Sequence, residues 1–253
     1  MPYAKQRNDA ISVSKNYFVF LHFNIYSVAP LNPLIAVTED GSTTFFSKQF
    51  NQHYHSQHGA IQESMHVFIE AGFRKLRHRE SLLVFEMGFG TGLNALLTLI
   101  EAERSRITVS YEAVELFPLK PEDALQSNFP TKLGGWQRAF ETMHQCEWNT
   151  RQHISDRLSL LKHKIDLIAA TLPSGIDLVY FDAFDPEAQP QLWAPAVFQK
   201  LHDAMSDGGL LVTYSSKGTV KNALREAGFK VERLPGPPGK RHMVRATKCN
   251  HAE

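Results

Sequence analysis

The stretch Leu82-Leu83-Val84-Phe85-Glu86-Met87-Gly88-Phe89-Gly90-Thr91-Gly92-Leu93-Asn94 limits what this chain can fold into more than any other. An apolar, strand-like run, Leu82 to Phe85, ends in an acidic residue. A glycine-spaced turn follows, and Leu93 to Ile100 continues with a helical pattern. A strand–loop–helix unit of this kind brings backbone close to a ligand, because glycine lacks the Cβ that would block the approach.

The spacing separates two kinds of ligand. A dinucleotide fingerprint reads G-x-G-x-x-G, its last glycine allowing close helix–strand packing. Here the glycines are Gly88, Gly90 and Gly92, and Leu93 stands where the third dinucleotide glycine belongs. An acid followed by G-x-G-x-G resembles instead the loop of S-adenosylmethionine (SAM) methyltransferases, which passes under the methionine and ribose of the cofactor. Glu86, Gly88, Gly90, Thr91, Gly92 and Asn94 are therefore candidate cofactor-binding residues.

Downstream acids extend the pattern. Ile107 to Glu115 is β-rich, and Glu115 lies roughly twenty residues past the glycines, where a nucleotide-binding α/β fold places the ribose-binding carboxylate. Arg157 to Leu161 reads as a third strand, followed by Asp166, a candidate adenine contact. Ile176 to Phe181 is a nearly continuous apolar run, as expected for a strand buried on both faces of a parallel sheet, and it exits into Asp182-Ala183-Phe184-Asp185-Pro186. Glu86, Glu115 and Asp182 all fall at carboxyl ends of strands, where open α/β sheets bind ligands. Gln191 to Met205 has helical periodicity, Gly208 to Tyr214 reads as a fifth strand and Val220 to Ala227 as a helix. Lys230–Leu234 and His242–Ala246 form a last pair of strands. The fold class expected is α/β: a Rossmann-like SAM-dependent methyltransferase fold with a doubly wound, mostly parallel sheet and a C-terminal antiparallel hairpin.

Upstream of the glycine loop, Leu34–Thr38 and Thr43–Phe46 read as a hairpin, His53 to Ala60 as a loop, and Ile61 to Phe73 as a helix. His53, His55, His58 and His66 match no standard zinc spacing, so no metal is expected, and polar lining of a loop near the cofactor is the better reading. Residues 1–31 form an N-terminal extension expected to pack poorly. Its basic start and short apolar core suit a signal peptide, whereas His22, Asn24 and Pro30 argue against one. The expected division is 1–31 extension, 32–75 hairpin and helix capping the cofactor site, and 76–248 methyltransferase domain.

Composition bounds the partners. The 253 residues carry a formal net charge of +1, which by itself demands no nucleic acid. From Leu210 to Lys248, however, nine Lys or Arg residues stand against two acids, Glu226 and Glu232: a phosphate-binding face or a plain solvated surface. Two distant cysteines, Cys146 and Cys249, point to a reducing compartment, read as the cytoplasm. No run approaches the roughly 18–20 apolar residues of a membrane span.

Taken together, several motifs resemble one family, the methyltransferase half of the bacterial bifunctional tRNA wobble-uridine modification enzyme of the MnmC type, in its stand-alone form. They are Tyr54-x-Ser56 with Gly59-Ala60 and Glu63-Ser64, the string Glu86-x-Gly88-Phe89-Gly90-Thr91-Gly92-Leu93-Asn94, and Glu115-x-Phe117-Pro118-Leu119. Asp182-x-Phe184-x-Pro186 with Pro190-x-Leu192-Trp193, and Gly239-Lys240-Arg241-x-Met243, complete the set. The resemblance covers about residues 34–247. It implies transfer of a methyl group from SAM to the exocyclic amine of 5-aminomethyl-(2-thio)uridine at the tRNA wobble position. The expected partners are the tRNA anticodon stem-loop and a separate enzyme supplying the aminomethyl group.

The resemblance adds Tyr54, Ser56 and Glu63 to the cofactor contacts and Asp182 to both the cofactor and the catalytic set. Asp182 would hold the amine and accept its proton, and Phe184 would stack on a splayed-out uracil. Trp193, Lys240 and Arg241 join Phe184 as substrate contacts. Two departures stand out: Asp185 occupies a position where the family usually has a small residue, and Lys164 sits near where some relatives carry an acid, which weakens the adenine role of Asp166. Two competing readings stay open, an enzyme acting on a small amine, similar to polyamine synthases, and a tRNA-binding module without turnover. A nicotinamide oxidoreductase is disfavoured by the glycine spacing.

Overall fold

The computed structural model describes residues 34–249; the N-terminal segment read above as an extension lies outside the described residues. The chain opens with a small antiparallel sheet, β1 (Leu34–Val37), β2 (Thr43–Ser47) and the two-residue β3 (Gln52–His53), in the order β1-β2-β3. Asp40 closes its turn, bonding Thr38 Oγ1 at 2.8 Å and accepting from the Ser42 N–H at 2.8 Å. A short helix α1 (Ala60–Ser64) leads into a π-helical turn (Met65–Glu70) and a 3-10 turn (Phe73–Leu76).

The single helix expected over 61–73 is thus broken into three pieces. Within the π turn the consecutive Val67, Phe68 and Ile69 are all buried. A Cβ at Gly72 would lie 2.5 Å from the Phe68 carbonyl oxygen, so a side chain there could not coexist with this geometry. Arg74 then grips the Glu101 carboxylate with two bonds of 3.0 and 2.7 Å, and Arg77 adds a third of 2.9 Å, fastening this segment to helix α2 (Leu93–Ser105).

The main sheet has eight strands. Those so far unnamed are β4 (Ser81–Met87), β5 (Thr108–Val114), β6 (Gln152–His153), β7 (Leu158–His163), β8 (Ile176–Phe181), β9 (Met205–Thr213), β10 (Phe229–Pro235) and β11 (His242–Lys248), ordered β10-β11-β9-β8-β4-β5-β7-β6. The β9-β8-β4-β5-β7 run is parallel, while β11, β10 and β6 are antiparallel additions. This is the Rossmann-like methyltransferase fold with a C-terminal antiparallel pair, as the pattern predicts.

Strand pleating distributes the core. Val84, Tyr111, Leu178, Tyr180 and Val212 face one side with α2 and helix α5 (Gln137–Gln145), and Phe85, Val179, Phe181, Leu211 and Val244 face the other with α6 (Pro195–Ala204) and α7 (Gly218–Glu226). Between β5 and α5 lie two short helices, α3 (Pro121–Ala124) and α4 (Phe129–Lys132). The fifth parallel strand starts at Met205 rather than Gly208, because the register shift between the Ile176–Met205 and Leu178–Leu210 pairs accommodates Ser206 to Gly209 as an irregularity.

The chain runs outward from β4 through β5 to β7 and then crosses to β8 and β9 on the other side. The strand order therefore reverses between β4 and β8. Met87 pairs with both Val114 and Phe181 in register, so Glu86, Glu115 and Asp182 come to one edge of the sheet at this switch point.

Candidate active site

The glycine loop leaves β4 between the ends of β5 and β8. Gly88 N donates to Val114 O at 3.0 Å, and Asp182 N donates to Met87 O at 3.1 Å, so both neighbouring strand ends hold the loop directly. Gly90 and Gly92 have φ of 47° and 73°, in the left-handed region. A Cβ on Gly90 would stand 3.3 Å from the Tyr54 ring, and one on Gly92 would meet His144 Nε2 at 2.7 Å. Two buried histidines flank the same loop. His55 Nε2 lies 2.7 Å from Thr91 Oγ1, and His144 Nε2 donates to Thr91 O at 3.1 Å. Burial pushes both imidazoles down to about 4, so at neutral pH they hold the loop as uncharged groups.

The loop forms the floor of a cleft of about 580 Å³. Of the residues singled out from sequence, Tyr54, Ser56, Glu63, Gly88, Gly90, Thr91, Asn94, Glu115, Asp166, Asp182, Phe184 and Lys240 line it. Glu115 accepts from Gly90 N at 3.1 Å and Phe117 N at 2.9 Å, and burial raises its carboxyl above the usual carboxylate range. Asp166 sits at the rim, where its Oδ1 accepts from Ile168 N at 2.9 Å.

Behind the floor, Asn94 Nδ2 donates to Glu86 Oε1 at 2.9 Å and to Asp182 Oδ2 at 2.8 Å, bridging two carboxylates. Burial drives Glu86 well above the carboxylate range; the Tyr111 hydroxyl lies beside it but outside hydrogen-bonding geometry. Asp182 is raised to about 7, first by burial and next by the Glu63 charge, while the Asn94 bond and the Lys240 charge pull it back.

This donor set fits SAM. Asn94, which lines the cleft, has a buried acceptor, Oδ1, without a hydrogen-bond partner, suited to a cationic amino group. Glu115 sits where ribose hydroxyls need acceptors, and the glycine loop leaves the space that side chains would fill.

Asp182 and Phe184 lie on one turn that is pinned along its length. Tyr214 Oη donates to Ala183 O at 2.9 Å, Trp193 Nε1 to Phe184 O at 2.9 Å, and Phe184 N to Gln189 Oε1 at 3.0 Å. The Phe184 ring is stacked on Phe50, centroids 4.4 Å apart at 28°, with Tyr54 at 5.1 Å and 65°.

Several sequence expectations change. Trp193, expected at the substrate, is 5% exposed and packs against Phe181 and Phe198; its indole acts on Phe184 through the N–H bond and does not reach the cleft. Lys240, expected on a phosphate-binding surface, turns into the cleft, donating to Glu63 Oε1 at 2.5 Å and lying 3.9 Å from the centre of the Tyr214 ring. Arg241 does stay exposed, with no side-chain partner among the described residues. Asp185 is no free carboxylate, because Lys217 Nζ bonds it at 2.7 Å. Glu86 and Gly92 support the floor from behind, outside the cleft lining.

Sequence reasoning missed Phe50, Tyr214, Gln189 and His144. Only Tyr214, an aromatic residue directly after a strand, carried a readable signal. Of the four histidines singled out, His53 and His55 line the cleft, while His58 pairs with Glu39 and His66 with Pro235 O. Among the described residues no group of three or more His, Cys, Asp or Glu side chains is arranged to hold a metal ion. None of the described helices is long and apolar enough to cross a membrane.

Residues 124–249 match the family described as S-adenosyl-L-methionine-dependent methyltransferase. The chain is 32% identical over 231 residues to the tRNA 5-methylaminomethyl-2-thiouridine biosynthesis bifunctional protein MnmC of Aromatoleum aromaticum, covering 85% of this chain and 36% of that protein. It thus spans about a third of the length of the curated relatives it matches. The crystal structure of MNMC2 from Aquifex aeolicus superposes with a TM-score of 0.69 at 27% identity, covering 85% of this chain and 70% of that one. Spermidine synthase from Thermotoga maritima, at 14% identity and a TM-score of 0.50 over 85% of this chain and 72% of that one, shares the fold. With the cofactor loop, the strand-end acids and the pinned Asp182–Phe184 turn in one cleft, this chain belongs to the SAM-dependent methyltransferase domains of the MnmC type.

Proposed function

We propose that this domain methylates the exocyclic amine of 5-aminomethyl-(2-thio)uridine at the tRNA wobble position, giving the 5-methylaminomethyl derivative. The observation that carries this reading is the single turn that sets a carboxylate titrating near neutrality, Asp182, two residues from an aromatic ring, Phe184, at the cofactor cleft. The relationship to the MnmC protein named above supports the same substrate.

When bound, SAM would supply a sulfonium methyl that an amine lone pair attacks, an N–C bond forming as the C–S electron pair leaves with sulfur. The chain's own residues prepare the amine. A protonated alkylamine has no lone pair to offer, so Asp182 takes a proton from it. An acceptor titrating near the operating pH does this best. Asn94 and the bonds from Tyr214, Trp193 and Gln189 fix where the amine must lie. A splayed-out uracil extends the Phe50–Phe184 stack. Arg241 and its basic neighbours face the phosphates of the anticodon arm. In this reading the segment 32–75 is the cap over the cofactor, the partner enzyme is one that installs the aminomethyl group, and the reaction takes place in the cytoplasm.

The test is methyl transfer from labelled SAM to bulk tRNA lacking the modification, followed by nucleoside analysis. Label in 5-methylaminomethyl-(2-thio)uridine is the expected result. Bound SAM with no label in tRNA would overturn the substrate and return attention to small amines.

A further inference from the structure

Lys240 and Glu63 form an ion pair in the cleft lining whose two charges act on the Asp182 carboxyl, and they lie 177 residues apart in sequence. Glu63, on α1, is almost fully buried and uses both oxygens: Oε1 accepts from Lys240 at 2.5 Å and Oε2 from Ser56 N at 2.8 Å. Lys240 Nζ sits over the Tyr214 ring at 3.9 Å, and the hydroxyl of that ring holds Ala183 O at 2.9 Å, next to Asp182. A chain of contacts therefore runs from the cap segment through the ion pair and Tyr214 to the catalytic turn.

We propose that Lys240 and Glu63 form a charge-balanced pair that positions Asp182 and sets its readiness to take the amine's proton. Lys240 is then a positioning residue and not a phosphate contact. This inference rests on the proposed amine substrate.

The physical basis is that two opposite charges of the pair act on Asp182 with opposite sign. Glu63 disfavours its ionised form and Lys240 favours it. The other groups facing this centre are Glu86 from β4, Tyr111 from β5, Tyr214 after β9 and the buried His55. The His58 ring lies against the Gly239 backbone beside Lys240. None of these is a cation, and Lys217, the other lysine lining the cleft, is held by Asp185 and Glu187, so Lys240 offsets the acids around Asp182. It also stands beside the entering amine, where a fixed positive charge favours the neutral, nucleophilic form. Loss of Lys240 thus acts in one direction on both partners of the proton transfer.

The test uses the pH dependence of kcat/KM for methyl transfer to an anticodon stem-loop RNA carrying the aminomethyl uridine, and in parallel a carbon-13 NMR titration of the Asp182 carboxyl without substrate. Lys240→Met should move the acidic limb and the Asp182 titration up by about one pH unit, and Glu63→Gln should move both down. Lys240→Arg should restore the wild-type limb, and the double variant Glu63→Gln/Lys240→Met should return close to it. Rates lowered at every pH with the limb unmoved, or shifts of the same sign in both single variants, would overturn the proposal and leave a structural strut. Should Lys240→Met fail to fold, the double variant and Glu63→Gln still decide the sign. If the wild type does not methylate the RNA, the substrate reading fails while the NMR titration still tests the pair.

Discussion

Replacing Asp182 with asparagine should remove activity and at the same time stabilise the cofactor-free fold. The Asp182 carboxyl is displaced from the ordinary aspartate value of 3.8 to about 7, chiefly by burial and by Glu63. A folded-state value above the unfolded one means that the native state binds the proton more tightly. Stability from this group is therefore fully present below about pH 4, is lost as pH rises, and is gone above about pH 7. About three units at about 1.4 kcal/mol each set an upper bound near 4 kcal/mol for what ionised Asp182 costs the native state at pH 8. Asp182 is only partly buried by surface and opens onto the cleft, so solvent screening brings the expected figure to about 2 kcal/mol. Asparagine keeps the shape, and its Oδ1 still accepts the bond from Asn94. Urea unfolding at pH 4 and pH 8 should show little difference between Asp182→Asn and wild type at the lower pH and a gain of about 2 kcal/mol at the higher. Methyl transfer should fall at least 100-fold, on the scale of losing a general base. A variant less stable than wild type at pH 8, or an equal gain at both pH values, would refute the electrostatic reasoning.

Gly90→Val places a β-branched side chain at φ 47° and 3.3 Å from the Tyr54 ring; SAM affinity measured by calorimetry should drop more than 100-fold, about 3 kcal/mol. Trp193→Phe keeps an aromatic ring in the core but removes the N–H bond to Phe184 O. It should cost about 1 kcal/mol of positioning, a roughly fivefold loss in kcat, with SAM affinity unchanged, and an unchanged kcat would free the turn from Trp193. Arg241→Glu should weaken tRNA binding and lower the slope of log affinity against log salt by about one, read from filter binding between 50 and 200 mM salt; an unchanged slope would make Arg241 a plain surface residue.

Much of the cofactor half of the site could be read along the chain. The strand–glycine–helix unit, Glu115 at the end of β5 and Asp182 at the end of β8 are local patterns, because side-chain periodicity and the loss of Cβ leave their mark within a dozen neighbouring residues. Strand ends in such a fold meet at one edge, so naming the ends was enough to name the cleft.

The substrate half was different. Whether Trp193 meets the ligand or the core, and whether Lys240 meets phosphate or Glu63, depends on the angle at which distant elements pack, which no local pattern encodes. Phe50 joins Phe184 across a gap of well over a hundred residues, and Asn94 reaches Asp182 over 88. The π turn after α1 shows the same limit, since its apolar residues read as ordinary helix and no local pattern marks the wider winding. Sequence alone therefore determined the fold class and the cofactor loop, through short-range sterics and periodicity. Tertiary structure decided which charges face each other, because burial and the distance between opposite charges exist only once the chain has closed.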